Sequence, residues 1–362
     1  MDLINSIFSK TIIGLDIGVS GIKAVELSFG KKTSLAAYNR ISLPWDAITP
    51  DGVIKNELAI TNALKKLFAA KNFSTRQVSV GIFGNSILSK PIHLPQMAEK
   101  DIEDQIYWEA EQYIPFNIEE CEIDFAVVGN TLQKVEAGTQ SMIEVLLVAA
   151  KKEYVQSFTN LIESSGLKVV VLDYQAFALG NAFEFNYRAE LSQSALGDTH
   201  VLVDLGAGYT KLSFLEKENT VFTTKVSASG SGCTQLISER LGESFEQAER
   251  VKLKESGSPL VSPIIQDYNA HWVSEIQKSI DVFFGGSAER HLQKIYYTGG
   301  ASQTPGLIES LSNIYPEQVE NLDPVKNLFF PRNGVNRRLI DDLSLLGTAA
   351  VGLALRKTGD SK

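Results

Sequence analysis

The chain has 362 residues, of which 44% are hydrophobic and 21% charged, a composition typical of a folded globular protein with two or three domains. Its 34 basic and 43 acidic residues give a formal net charge of -9, which disfavours nucleic acid and anionic lipid surfaces as partners. Cys121 and Cys233 lie outside any CxxC or Cys/His cluster, so we expect them to be buried, reduced thiols.

The first residues, MDLINSIFSK, lack a basic region followed by a continuous apolar core, so we expect no signal peptide. No stretch approaches the roughly 20 apolar residues of a membrane span. The polar end LRKTGDSK is no amphipathic anchor. We therefore expect a cytoplasmic protein that reaches a membrane only through partners.

Two segments of the chain, residues 11–27 and 200–215, repeat one pattern. Each has an apolar run that leads into Asp-x-Gly, headed by Asp16 or Asp204, and then a lysine at the same offset. An apolar run, a glycine turn and a second apolar run predict a β-hairpin with exposed amides at its tip. The duplication indicates two related α/β halves that face each other across a cleft.

Between the two hairpins, alternating and helical patterns predict a compact βαββα module inserted in the first half. Ile102, Ile106, Ala110 and Tyr113 recur at helical spacing, and Pro115 ends that helix. The predicted strands are 78–83, 87–94, 121–129 and 142–150, and a second helix runs from Lys152 to Ser165, ended by Gly166.

The remaining elements lead into the second half and complete it. We predict a buried strand at 168–172, a helix that includes Ala176, Ala178 and Gly180, a linker at 186–200, helices at 245–257 and 271–284, a strand at 294–298, a helix start at Thr304 or Pro305, and a helix from Leu343 to Arg356. The last helix is rich in glycine and alanine and, at about 14 residues, too short to span a bilayer.

The glycine turns are suited to binding phosphates, because no Cβ hinders the approach of a ligand to their amides. Asp16 and Asp204 would bracket a triphosphate with its Mg²⁺, and Lys23 would neutralise phosphate charge. A third turn at 298–302 would lie against the purine and the α-phosphate. One such turn alone is more often an ordinary β-turn, but three in this order indicate a nucleotide site.

The segments GLDIGVSGIK, VLDYQAFALG, VDLGAGYTK, YYTGGAS and LLGTAAVGLAL resemble, in order, the phosphate 1, connect 1, phosphate 2, adenosine and connect 2 motifs of the actin-like ATPases. The resemblance implies an α/β, actin-like (ribonuclease H-like) duplicated two-lobed ATPase fold with the inserted βαββα subdomain. It implies a first lobe at 1–77 and 168–195, an inserted subdomain at 78–167, and a second lobe at 196–362 with its own insertion at about 228–285.

The insertion makes the resemblance more specific. Residues 91–125, 144–155 and 16–27 are similar to the PilM family of type IV pilus assembly proteins. The cell-division protein FtsA has a comparable insertion but also a membrane-binding tail, which is not evident here. The pilus-biogenesis relative MshI is shorter, whereas this chain keeps a full second half.

The resemblance assigns site residues motif by motif. Asp16, Gln175 and Asp204 would be catalytic if hydrolysis occurs, and Asp16 and Asp204 would hold Mg²⁺ directly or through water. The residues expected to surround ATP are Gly18, Ser20, Gly21, Lys23, Gly206, Gly208, Tyr209, Thr210, Glu249, Lys252, Gly299, Gly300 and Ser302. For Glu249 and Lys252, a solvated charged helix face is an equally good interpretation.

Two departures from the usual pattern concern activity. Val19 replaces a small polar residue of the first turn, and Gln175 is no carboxylate base, so we expect ATP binding with slow or negligible hydrolysis.

The resemblance also implies partners. The groove between the first lobe and the inserted subdomain would hold the N-terminal cytoplasmic peptide of PilN, at the inner face of the inner membrane, with the pilus motor ATPases and platform protein nearby. Tyr107, Trp108 and Tyr113 are a candidate wall of that groove, and the alternative is a helix that merely packs on its own sheet.

Two other functions stay open at this point. One is a small-molecule, sugar-type kinase with the same core, although no motif for a substrate-side Asp is evident. The other is an FtsA-like cell-division protein. A chaperone is disfavoured because few residues follow the last helix. The histidines His93, His200, His271 and His291 are scattered and suggest neither a metal cluster nor a triad.

Overall fold

A computed structural model describes residues 11–71, 73–135, 138–286, 289–330 and 337–359 of the chain. The signal-peptide expectation concerns residues 1–10, which lie outside the described residues, as do the last three of the chain. Among the described residues, no helix combines the length and the apolar character needed to cross a bilayer. Cys121 and Cys233 are buried free thiols, as predicted.

The described elements alternate between strands and helices along the chain. The strands are β1 (Ile13–Gly18), β2 (Gly21–Ser28), β3 (Ser34–Ser42), β4 (Gln77–Ile82), β5 (Ile87–Pro95), β6 (Cys121–Val135), β7 (Gly138–Lys151), β8 (Lys168–Tyr174), β9 (Asp198–Leu205), β10 (Thr210–Glu216), β11 (Asn219–Val226), β12 (His291–Thr298) and β13 (Val319–Asn321). The helices are α1 (Glu57–Ala69), α2 (Glu99–Tyr113), α3 (Lys152–Glu163), α4 (Gln175–Gln193), α5 (Gly230–Leu241), α6 (Phe245–Lys254), α7 (Ser262–Gly285), α8 (Leu307–Ile314), α9 (Arg337–Leu346) and α10 (Thr348–Ala354).

Two five-stranded sheets share one topology. The first has the order β3-β2-β1-β4-β8 and the second β11-β10-β9-β12-β13. In each, a three-stranded antiparallel meander continues into two parallel strands, reached by helical crossovers. This equivalence confirms the predicted duplication into two related halves.

The two predicted hairpins lie at the centre of these sheets. In the first, Asp16 stands directly opposite Lys23, and in the second Asp204 stands directly opposite Lys211. The flanking positions are β-branched and leucine residues, most of them fully buried. Buried strands fix the register, so the two lysines are held beside the two aspartates by the pairing itself.

The inserted segment has the predicted βαββα order, as β5, α2, β6, β7 and α3. Its own sheet has the order β5-β7-β6, and α2 covers it with Ile102, Ile106 and Ala110. The predicted strand 78–83, however, is β4, which pairs with β1 and β8 in the first sheet. The domain boundary expected at residue 78 therefore lies after β4, because Val78, Val80 and Ile82 of β4 belong to the first core.

Helix α3 also packs with the first lobe. Its buried residues Phe158, Leu161 and Ile162 belong to the same core as α1 and β4. The inserted module is therefore β5, α2, β6 and β7, and α3 returns the chain to the first lobe. We call this four-element unit the inserted module below.

A guanidinium group ties the inserted module to the second lobe. Arg290, just before β12, lies 3.1 Å from the Glu144 carboxylate on β7 and 2.5 Å from the Glu216 carboxylate on β10. Asn219 adds a hydrogen bond of 3.1 Å to the Val128 carbonyl oxygen on β6. The module thus contacts both lobes and not only the first.

Glycines bring α10 against the first sheet and against α4. A Cβ on Gly352 would lie 1.7 Å from the Ala178 carbonyl oxygen, and a Cβ on Gly14 would lie 2.0 Å from the Ala350 carbonyl oxygen. The predicted small-residue packing is therefore between these two helices and β1, at the junction of the lobes.

Several predicted boundaries are wrong, including the start of the helix predicted at 271–284, which is α7 and begins at Ser262. The linker at 186–200 is mostly the second half of α4, because Tyr187 and Leu191 are buried and extend its apolar face. The last helix is two helices, since the backbone at Gly347 leaves helical geometry (ψ 0°) and only a hydrogen fits beside Leu343. Helix α8 begins at Leu307, after the left-handed Gly306, rather than at Thr304 or Pro305.

The first prediction concerns the close contact at Gly352. Replacing Gly352 with alanine forces α10 away from α4, and we expect the free energy of unfolding to fall by about 1–3 kcal/mol. Urea denaturation followed by circular dichroism measures this change. Gly285→Ala is the matched control, because that helical glycine is exposed with no atom near its Cβ position. An equal loss in both variants would contradict the packing argument.

Candidate functional site

A cavity of about 480 Å³ lies between the two lobes. It is bounded by the tip of each hairpin, by the start of α4, by one face of α6 and by the turn after β12. Of the predicted site residues, those that line it are Asp16, Gly18, Ser20, Lys23, Gln175, Asp204, Gly206, Gly208, Tyr209, Glu249, Lys252, Gly299 and Gly300. The fold therefore brings together residues from five separate segments of the chain.

Three predicted residues have other positions. Gly21 faces β3, where a Cβ would lie 2.6 Å from the Ile41 carbonyl oxygen. Thr210 is fully buried and accepts a 2.7 Å hydrogen bond from the Trp272 indole nitrogen. Ser302 lies in the short 3₁₀ turn after Gly299 and does not line the cavity. For Gly21 and Thr210 the packing explains the residue without a ligand.

A continuous polar network crosses the floor of the cavity. Lys23 Nζ lies 3.0 Å from Asp16 Oδ2, and Lys211 Nζ lies 2.6 Å from Asp204 Oδ2. Gln175 joins the two pairs, since its Nε2 donates to Asp16 Oδ1 at 2.8 Å and its Oε1 accepts from Lys211 Nζ at 3.0 Å. The two hairpins are therefore linked through one buried amide.

The Gln175 amide has its donors and its acceptor engaged by the protein. Nε2 also donates to the Ile17 carbonyl oxygen at 3.2 Å, so both of its N–H groups have partners. Burial alone would lower the pKa of Lys211, but the carboxylates of Asp204 and Asp16 outweigh it and the pKa is raised. Lys211 is therefore an ammonium ion in this network.

The tips of the two hairpins touch each other. A Cβ on Gly208 would lie 2.6 Å from Val19 Cγ2 and 3.2 Å from Pro50 Cα. Tyr209 extends from the second tip into the core of the first lobe and packs on Phe83, with ring centroids 5.8 Å apart. Val19, which departs from the polar residue expected there, supplies apolar contact between the lobes.

One end of the cavity is built by α6 and the turn after β12. Lys252 is 3% exposed, and its Nζ donates to the Gly230 carbonyl oxygen at 3.0 Å and to Thr234 Oγ1 at 2.7 Å, and lies 2.7 Å from the Glu249 carboxylate. The alternative of a solvated charged face is thus wrong for Lys252. Gly299 has φ 93°, and a Cβ there would lie 2.3 Å from Asp204 Oδ1.

The sequence reasoning missed several cavity residues. Lys211 has the same offset from its aspartate as Lys23, and this symmetry could have identified it. Trp45 of the first lobe stacks on Phe245 of α6, with centroids 4.7 Å apart, and closes the cleft. The Arg40 Nε donates to the Asp342 carboxylate at 2.7 Å. No local signal marks these last two contacts, because each joins distant segments.

The donor set does not fit a magnesium ion held directly by Asp16 and Asp204. Three of their four carboxylate oxygens already face a nitrogen donor, and each carboxylate is paired with a lysine within 3.0 Å. Within the described ranges, no group of three or more His, Cys, Asp or Glu side chains is arranged to hold a metal. Magnesium prefers several oxygen ligands, which lysine cannot supply.

Comparison with known proteins gives one family. The sequence profile of the family described as type IV pilus assembly protein PilM matches residues 14–358. The cell division protein FtsA of Bacillus subtilis (strain 168) is 24% identical over 263 residues, which are 67% of this chain and 58% of FtsA. The chain thus spans less than two thirds of that relative's length.

Solved structures agree with the profile. A chain of a PilM–PilN type IV pilus biogenesis complex superposes with a TM-score of 0.83 at 26% identity, covering 96% of this chain and 98% of that one. The ethanolamine utilization protein EutJ from Carboxydothermus hydrogenoformans gives a TM-score of 0.53 at 14% identity, with coverages of 95% and 89%. The latter shows a shared fold alone, the actin-like fold that the motifs predict.

The second prediction tests whether Lys252 is a buried, hydrogen-bonded residue of the cavity or part of a solvated charged helix face. Lys252→Met removes the donor to a buried carbonyl and a buried hydroxyl, and we expect the free energy of unfolding to fall by about 1–3 kcal/mol. Lys254→Met on the same helix is the control, because Lys254 is exposed and should change stability by less than about 0.5 kcal/mol. Chemical denaturation measures both; equal effects would restore the alternative of a solvated face.

Proposed function

The chain belongs to the PilM family of type IV pilus assembly proteins, and from this membership we propose that it binds ATP between its lobes and a PilN-like peptide on its inserted module. The observation that carries the proposal is the convergence of both hairpin tips and Gln175 on one cavity. Its volume of about 480 Å³ is in the range of small-molecule sites.

The triphosphate would lie between the hairpin tips. Glycine positions at both tips leave room for close approach, and the ammonium groups of Lys23 and Lys211 supply positive charge on opposite walls. The nucleoside would lie toward Glu249, Lys252 and the Gly299–Gly300 turn. Magnesium would arrive on phosphate oxygens, and we assign it no direct protein ligand.

The same network supports binding with little hydrolysis. A general base must accept a proton from water, but Asp16 has both carboxylate oxygens occupied and Gln175 has its amide fully bonded within the protein. ATP would then act as a structural ligand. Because it contacts both lobes, it would favour their closed arrangement by its differential affinity for that state.

The peptide site is proposed on the inserted module. The similar PilM–PilN structure supports a PilN-type partner. We place its peptide in the groove between the first lobe and this module. Helix α2 buries its apolar face on its own sheet and leaves Tyr107 and Trp108 exposed, Trp108 by 75%. Large exposed aromatic side chains are frequent anchors of interfaces.

The remaining parts of the proposal concern location. The protein would be cytoplasmic and recruited to the inner face of the inner membrane by its peptide partner. Pilus motor ATPases and the platform protein would be its neighbours there. Membrane contact would come only through these partners.

The third prediction tests nucleotide binding at the hairpin tips. Gly208→Ala forces the tip away from Val19 and Pro50, and we expect a loss of ATP affinity of about 10- to 100-fold, the equivalent of about 1–3 kcal/mol of overpacking. Val19→Ala in the same chain should recover part of the loss. Isothermal titration with ATP and with a non-hydrolysable analogue measures the affinity.

The wild-type protein is tested alongside: any nucleotide that copurifies with it is identified, and its affinity for ATP is measured. Wild type without bound nucleotide and without ATP affinity would overturn the proposal. Phosphate transfer from ATP to a sugar would favour the kinase alternative instead.

The fourth prediction tests the aromatic wall. Trp108→Ala should weaken binding of a PilN N-terminal peptide by about 30-fold, since a buried aromatic anchor contributes about 2 kcal/mol or more. Leu260→Ala is the matched control, because Leu260 is equally exposed but lies on the second lobe. Fluorescence anisotropy of a labelled peptide reports the affinity. Unchanged binding in the Trp108 variant would remove α2 from the peptide site.

A further inference from the structure

We propose that the stacked rings of Trp45 and Phe245 are a gate of the interlobe cavity, which sets how fast the nucleotide enters and leaves. The inference rests on the proposed ATP-binding function and deepens it by adding control of nucleotide exchange. It is carried by the position of the two rings between that cavity and a second space that opens to solvent.

Trp45 is held rigidly by the first lobe. It lies in a tight turn, in which the Ala47 amide donates to the Pro44 carbonyl oxygen at 3.0 Å. The turn is anchored to the first hairpin, because the Leu43 amide donates to the Ser20 carbonyl oxygen at 3.0 Å. The indole is therefore presented from a fixed base beside the proposed phosphate site.

Phe245 is held in the same way by the second lobe. It is the first residue of α6, and Ser244 caps this helix by accepting a hydrogen bond from the Gln247 amide at 3.2 Å. Buried Ala248 and Val251 fix α6 against α5 in one core. The phenyl ring thus moves with the second lobe.

The stack of the two rings bridges the lobes. Their centroids are 4.7 Å apart and their planes differ by 15°. Both rings line the cavity of about 480 Å³ and also a neighbouring cavity of about 660 Å³. Gly208 and Tyr209 of the second hairpin tip, together with Ser231, border both cavities as well. The stack and this tip are therefore parts of one wall between the two spaces.

The second cavity opens to solvent. Its lining includes the exposed residues Asp51, Asn85, Lys225, Ser227 and Gln235. Water therefore reaches the outer side of the wall, while the inner side faces the space between the hairpin tips. A triphosphate in that space is separated from solvent by the wall that the stack completes.

The stack opens more easily than the hairpin tip. Tyr209 is 8% exposed and its ring belongs to the core of the first lobe, so withdrawal of the tip would expose buried apolar surface. Trp45 is 51% exposed, and its separation from Phe245 breaks one ring contact. An aromatic pair of this kind changes an equilibrium constant by about 3- to 10-fold. Opening at the stack is thus the less costly route for exchange.

The test is stopped-flow measurement of a fluorescent, non-hydrolysable ATP analogue binding to the full chain and being displaced by excess ATP. Trp45→Ala and Phe245→Ala should each raise the association and the dissociation rate constants by about 3- to 10-fold. The dissociation constant should change by less than about threefold, because a gate opens for entry as well as for exit. A change confined to the dissociation rate constant would overturn the inference, since it indicates a ring that contacts the nucleotide.

Matched variants make the test specific to the stack. Trp45→Phe keeps a ring against Phe245 and should leave both rate constants within about twofold of wild type. Phe29→Ala is the control, because Phe29 is 38% exposed on the first lobe and lines neither cavity. The double alanine variant should exchange no faster than either single variant, since both substitutions remove one contact. Additive effects would contradict a shared contact.

The failure of the gate and the failure of the proposed function give different results. Wild type that binds no analogue would overturn both. Analogue binding with the same rate constants in wild type, the alanine variants and the Phe29 control would overturn the gate alone. Circular dichroism checks that each variant is folded, and Trp45→Leu repeats the test with an apolar side chain in case an alanine variant unfolds.

Discussion

The buried amide of Gln175 joins the two hairpins of the fold by hydrogen bonds. It is fixed on one side by Asp16 and Ile17 of the first hairpin and on the other by Lys211 of the second. A buried amide with an unpaired group costs about 1–3 kcal/mol, so the network is stable only with both hairpins in place. The two hairpins, with the lysine–aspartate pairs that they carry, are therefore held together across the cleft at this amide.

The close packing of α10 against α4 and β1 positions the elements that carry Gln175 and Asp16. Gln175 begins α4, and Ala178 in the next turn touches α10 at Gly352, while α10 in turn touches β1 at Gly14. Asp16 lies near the end of β1. The contacts of α10 with α4 and with β1 therefore fix the position of Gln175 relative to Asp16. Gly14 and Gly352 are required at these contacts because backbone atoms of the neighbouring helix occupy the space that a Cβ would need.

The sequence predicted what depends on local pattern and missed what depends on distant contacts. The paired hairpins were predictable because Asp-x-Gly and the apolar runs lie within a few residues of each other, and the repeat fixed their relation. The edges of the inserted module were not, because β4 and β5 have the same strand pattern and only pairing with β1 assigns β4 to the first sheet. The stack of Trp45 on Phe245 was equally invisible from sequence.

Charge pairing also attaches the inserted module to the second lobe. Arg290 precedes β12, which ends at the Gly299 turn of the cavity, and Glu216 ends β10, which begins at the second hairpin tip. The module is therefore attached to the far ends of two strands whose near ends form the site. Separation of Arg290 from Glu144 would leave a carboxylate that is 9% exposed without its cation, and a buried unpaired charge is costly. The Arg290 ion pairs therefore fix the inserted module against the second lobe.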